Sequence, residues 1–115
     1  MARVLGIHEV GLVAGTDPAE FEKAAAEMLA QPELEGWRTR VLRGQRGPRT
    51  DQYLVVFEID SVEARDRYFP HEGSESSDET DRFEQEHPEA SAAWQRFFGM
   101  TVHEGTATDY VDVAG

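Results

Sequence analysis

Apolar and polar positions along the chain change period several times, and each change marks the edge of an element. From Arg3 to Val13 the run RVLGIHEVGLV is short, apolar and β-branched, with Val4, Gly6, His8, Val10 and Leu12 on one face. That pattern predicts a strand, and its imperfect alternation suits one buried on both sides. Ala14-Gly15-Thr16 interrupts the run. Asp17-Pro18-Ala19-Glu20 then has capping-box spacing, with Asp17 as N-cap, Pro18 at the first helical position and Glu20 reaching back. Phe21, Ala24, Ala25, Met28 and Leu29 follow on a single stripe at spacings of three and four. The spacing predicts a helix ending near Gln31, because Pro32 disfavours helical geometry in the residue before it.

A second extended run covers Trp37–Arg43, where Trp37, Thr39, Val41 and Arg43 alternate with Arg38, Arg40 and Leu42. Two glycines and a proline make Gly44–Asp51 a loop. Gln52–Ile59 carries the strongest strand signal, with Tyr53, Val55, Phe57 and Ile59 facing one way and Leu54 and Val56 the other. The two runs are expected to pair as an antiparallel hairpin with a longer-than-minimal connection. Asp60 and Ser61 cap a second helix, Asp60-Ser61-Val62-Glu63 again having capping-box spacing, and Val62, Arg65, Tyr68 and Phe69 fall near one helical face before Pro70 ends it. Glu72–Asp81 is polar and acidic and reads as a mobile loop. Over Arg82–Met100, the residues Phe83, His87, Ala90, Trp94 and Phe97 form a core-facing helical stripe. Pro88 either kinks this helix or restarts it with His87 as cap, and Gly99 is a natural stop. Thr101–Val113 is β-branched and aromatic enough for a last strand, weakened by Gly105.

The order is β-α-β-β-α-α-β, which predicts an α+β domain over residues 1–115 with an antiparallel sheet, the ferredoxin-like split βαβ arrangement. One face of such a sheet takes the helices. The strands have apolar residues on the other face too, an exposed patch of a size that monomers avoid. A homodimer whose sheets close on each other, a dimeric α/β barrel, is the simplest remedy.

Composition narrows the partners. Hydrophobic residues are 39% and charged residues 30% of the 115, a globular balance. No apolar run approaches the ~20 residues of a membrane span, and MARVLGIHEVGLV lacks a signal peptide's layout, so a cytoplasmic location is expected. Without cysteine the chain has no disulfide and no thiolate nucleophile. A net charge of −12 argues against nucleic acid and anionic membrane as partners. Arg38, Arg40, Arg43, Arg46 and Arg49 crowd one segment. They either serve an anionic ligand or lie on a solvated hairpin balancing nearby acids, and the second reading carries more weight.

The layout, and especially YLVVFEIDSVEARDRYFPH, resembles the dimeric α/β-barrel superfamily, which includes stress-responsive barrel proteins, polyketide cyclases and cofactor-free antibiotic-biosynthesis (quinol) monooxygenases. In the cyclase-like branch, a histidine on the first strand and a Tyr-then-His pair around the end of the second helix line the pocket. By position the resemblance assigns the first role to His8 and the pair to Tyr68 and His71. Here His71 runs into an acidic loop rather than a short apolar stretch, and the Asn-Trp-His set of haem-degrading relatives is not evident.

Read as chemistry, His8 sits mid-strand among apolar neighbours, where burial favours neutral imidazole and a general-base role. The plainer reading is a histidine bonded to backbone or to Glu58. Tyr68 and His71 are three apart, with Pro70 between them. They are either an oxyanion donor and a proton carrier, or a core ring and an exposed loop residue. His103, Glu9 and Glu58 are polar groups on strands, and His8 with His103 and a glutamate is a conceivable metal set. No compact metal motif occurs, and no metal is expected. His87 reads as a cap or a partly buried packing residue, while Trp37, Trp94, Phe97 and Phe98 read as core or dimer contacts. Phosphate loops, nucleophile elbows and dinucleotide fingerprints are absent, so no cofactor is expected. The expectation is a barrel binding a small aromatic or polyketide-like molecule, with cofactor-free cyclisation or oxygenation, or else a non-catalytic binding protein.

Overall fold

A computed structural model describes residues 3–70 and 77–113. In chain order its elements are β1 (Val4–Leu12), α1 (Pro18–Leu29), β2 (Trp37–Arg43), β3 (Tyr53–Ile59), α2 (Val62–Tyr68), α3 (Asp78–Glu86), α4 (Pro88–Phe98) and β4 (Thr101–Val111). The strands form one sheet in the order β2-β3-β1-β4, with every neighbouring pair antiparallel. The fold is therefore α+β, a four-stranded antiparallel sheet with four helices among the described residues. None of these helices is long and apolar enough to cross a membrane.

Local chemistry sets the helix ends. The Asp17 carboxylate accepts from the Ala19 amide at 2.9 Å, and Pro18 opens α1. Ser61 rather than Asp60 caps α2, its hydroxyl accepting from Ala64 N at 3.1 Å. The predicted acidic loop is shorter than the sequence suggests. Ser77 caps α3 and Asp78, Glu79 and Asp81 occupy its first turn, where the helix dipole favours negative charge. The rest of that loop, Glu72 to Ser76, lies outside the described residues. At Pro88 the helix restarts: His87 holds φ −128° and ψ 67°, the non-helical geometry that proline imposes on the residue before it. One carbonyl anchors α3 to α2, since Tyr68 O accepts from Ser77 N at 2.8 Å and from Thr80 Oγ1 at 3.1 Å.

Register fixes what each sheet face carries. Gly6 pairs with Phe57, His8 with Val55 and Val10 with Tyr53, while Thr39 and Val41 of β2 pair with Phe57 and Val55. These share the helix-covered face. At one end of that face Val10, Tyr53 and Val55 pack against Phe21, Ala25 and Met28 of α1 and Ala93 and Phe97 of α4, the hydrophobic core. Phe21 and Phe97 are fully buried and stack at 5.0 Å. At the other end the helices stand off the sheet.

The opposite face carries Leu5, Ile7 and Glu9 of β1, Leu54, Val56 and Glu58 of β3, and Arg38, Arg40 and Leu42 of β2. Arg3, Arg38 and Arg40 all reach Glu58, at 3.8, 3.5 and 3.6 Å. Arg43 pairs with Glu22 at 3.1 Å, and Arg49 donates to Tyr53 O at 2.9 Å. Most of the arginine-rich segment thus balances the chain's own acids.

Between His8 and Val10 the β1–β4 register shifts, leaving a bulge on β4. Glu9 fills it, accepting from Thr106 N at 2.9 Å, and its carboxylate occupies the space a side chain at residue 105 would need. Gly105, which weakens the strand signal, is what permits this approach.

Candidate functional site

Where the helices leave the sheet, a cavity of about 940 Å³ opens between the strands and α2, α3 and α4. That volume lies at the upper end of the range typical of small-molecule sites. Its sheet wall is made by alternation: His8, Phe57, Ile59 and Trp37 are the inward residues of three adjacent strands. Phe57 is the centre of an aromatic wall. Trp37 lies 5.6 Å and Trp94 6.1 Å from it, the latter nearly parallel, and Phe69 of the α2 C-cap lies 5.3 Å from Trp37. The opposite rim comes from α2 and α3, with Arg65, Asp66, Phe83 and Glu84, and from β4, with His103 and Asp109.

His8 is half-buried in this cavity, its ring edge-on to Phe57 at 5.2 Å and 6.4 Å from His103. No described residue hydrogen-bonds the imidazole. Burial lowers its pKa from 6.5, Asp109 raises it in part, and His103 lowers it further. At neutral pH the ring is therefore uncharged, with a lone pair free to accept a proton. Asp109 approaches because residue 6 is glycine. Gly6 and Asp109 are register partners, and a Cβ on residue 6 would lie 3.0 Å from the Asp109 carboxylate. Arg65 donates to Asp109 at 3.1 Å and to Asp66 at 3.0 Å, fastening α2 to β4 across the cavity mouth.

The expected residues separate here. His8 lies in the cavity. Tyr68 does not: its ring is buried beside Trp37 and its hydroxyl donates to Glu35 O at 3.1 Å, on a smaller cavity of about 380 Å³. Burial raises the Tyr68 pKa, so this phenol stays a neutral donor with its proton already engaged. His71 lies outside the described residues. Of the polar strand groups, His103 joins His8, while Glu9 and Glu58 turn to the other face and bind Thr106 N and the arginines. Among the described residues no group of three His, Asp or Glu is placed to hold a metal ion. His87 is indeed a junction residue, its Nδ1 2.9 Å from Phe83 O.

Sequence reasoning underrated Trp37 and Trp94, which line the cavity while Phe97 alone is wholly core. It did not single out Arg65 and Asp109 as site residues. A signal for Arg65 was available, a charged residue on the apolar stripe of a short helix. Asp109 had none, because its proximity to His8 depends on the β1–β4 register. Against family models, curated proteins and solved structures alike, the chain finds no match.

Proposed function

We propose that this chain is a ferredoxin-like domain of the dimeric α/β-barrel type that binds a small aromatic molecule against the Trp37–Phe57–Trp94 wall, with His8 accepting a proton from it. The observation that carries the reading is His8 itself: a half-buried, uncharged imidazole without a hydrogen-bond partner among the described residues, inside a cavity sized for one small ligand. A ring stacked on Phe57 would bring an acidic O–H or C–H near the imidazole, and removal of that proton is the opening step of cofactor-free cyclisation or oxygenation. The strand order β2-β3-β1-β4 supports the ferredoxin-like topology.

A second copy of the chain is the proposed cover for the other sheet face. Leu42 is 39% and Tyr110 51% exposed there, beside half-buried Leu5, Ile7 and Leu54. Light scattering behind size exclusion tests this, and a monomer at micromolar concentration would refute it.

The non-catalytic reading has its own support. With the Tyr68 hydroxyl committed to Glu35 O, no described phenol serves as oxyanion donor in the cavity. The deciding experiment combines a thermal-shift screen over phenols, quinols and polyketide mimics with oxygen uptake or product formation on each hit, for the natural chain and His8→Gln. A ligand at 100 times its Kd adds about 2.7 kcal/mol, an easily read shift. Turnover abolished in His8→Gln supports the proton-transfer role. Binding without turnover leaves a binding protein, and no binding by any member of the screen would refute the site.

A further inference from the structure

We infer that the ligand carries a positively charged nitrogen as well as an aromatic ring; this rests on the cavity being the binding site. Formal charges on the cavity wall point one way. Among the described residues lining it, Arg65 is the sole arginine or lysine, and Asp66 and Asp109 both already bind it. Glu33 and Glu84 add two more carboxylates, so the wall is net negative before any ligand enters. Glu33 makes no ion pair with a described arginine or lysine, and its Oε2 accepts from Thr39 N at 3.2 Å.

The aromatic wall favours the same ligand. Indole and benzene faces attract cations through their quadrupoles, tryptophan most strongly, and Trp37 and Trp94 both neighbour Phe57 on the cavity wall. An anionic ligand meets the reverse: repulsion from the carboxylates and no unpaired arginine or lysine on the described wall to receive it. The charge also bears on proton transfer to His8. A net-negative wall opposes formation of a phenolate or enolate, and a ligand-borne cation offsets that opposition.

A charge series of one shape tests the inference: 2-naphthylmethylamine, 2-naphthylmethanol and 2-naphthoate, titrated calorimetrically into the full chain at low and high salt. The expected order is amine over alcohol over carboxylate, with the amine about tenfold tighter than the alcohol and the gap narrowing in salt. The double variant E33Q/E84Q keeps an acceptor for Thr39 N and should lose most of the gap. Equal binding of amine and alcohol, or a gap unchanged in the double variant, overturns the inference while leaving the aromatic site intact. Failure of all three to bind overturns the site itself, and the inference with it.

Discussion

Replacing Phe57 by alanine removes the ring at which both tryptophans and His8 meet, so it probes the cavity wall directly. Burying a phenylalanine fully is worth about 3–5 kcal/mol against alanine. Phe57 is only half-buried, which reduces that part to about 2 kcal/mol. Its near-parallel contact with Trp94 at 6.1 Å restores about 0.5–1.5 kcal/mol, and the tilted one with Trp37 at 5.6 Å adds little. The expected loss is about 2–4 kcal/mol, less than for the fully buried Phe97. Domains of this kind hold about 5–15 kcal/mol in total, so the variant should still fold. With a urea dependence of about 1–3 kcal/mol per molar, the midpoint falls by roughly 1–3 M at fixed protein concentration. The two tryptophans, Trp37 and Trp94, both line the cavity, so their emission reports on the wall and should shift red in the folded variant. A double-mutant cycle of Phe57→Ala with Trp94→Leu isolates their coupling, expected at about 0.5–1.5 kcal/mol. A stability loss under ~1 kcal/mol, or a coupling indistinguishable from zero, would refute the aromatic wall as a packed unit.

Three further outcomes follow from individual groups. Tyr53 donates to Glu22 at 2.6 Å, and burial with that bond pushes its pKa from 10.0 up to about 12. Its contribution is full below pH 10 and fades as pH rises through about 12, so phenolate absorbance should show this tyrosine ionising late. Tyr53→Phe should cost about 0.5–1.5 kcal/mol. His8 has the opposite sign: its folded pKa lies below 6.5, so its contribution is present above that pH and is lost as pH falls through the folded value. His8→Phe should flatten the acid limb of stability, and Asp109→Asn should move the His8 NMR titration still lower; an upward move would contradict the charge pairing. At Gly105, substitution by alanine displaces the Glu9 carboxylate from Thr106 N, costing about 1–2 kcal/mol in denaturant melts. Hydrogen exchange at the Thr106 amide should accelerate, and unchanged protection would show that the bulge does not depend on that glycine.

How much of this was readable in advance depended on whether a feature is local. Strand alternation and capping residues act within a few positions, so the four strands and both Asp17 and Ser61 caps were visible in the sequence. The same alternation grouped His8 with Val4 and Val10 on β1 and Phe57 with Tyr53 and Val55 on β3, and the β1–β3 register makes these one face. What alternation does not encode is whether an inward aromatic meets a helix or a void. Phe97 and Trp94 lie three apart on one helix, yet one is sealed in the core and the other lines the cavity. Tyr68 was misleading for a related reason. It lies on the inward stripe of α2, but that helix ends so close to β2 that its hydroxyl reaches the Glu35 carbonyl instead of the cavity. Pairings such as Arg65 with Asp109 join residues 44 apart, and only the β1–β4 register creates them.

The cavity itself follows from helix lengths measured against strand lengths. The nine residues of β1 span about 30 Å, whereas α1 with twelve residues and α4 with eleven reach only about 16–18 Å. Together they cover the end of the sheet where Val10, Tyr53 and Val55 lie. The other end falls to α2, whose seven residues amount to about 10 Å, and to α3, which meets α4 at the Pro88 break. Pro70 prevents α2 from extending across the gap, and Pro88 prevents α3 and α4 from forming one long straight helix that would lie flat on the strands. Large aromatic side chains then line the uncovered stretch without filling it. The two prolines that define the helix ends are thus also what keep the described helices from closing over this end of the sheet.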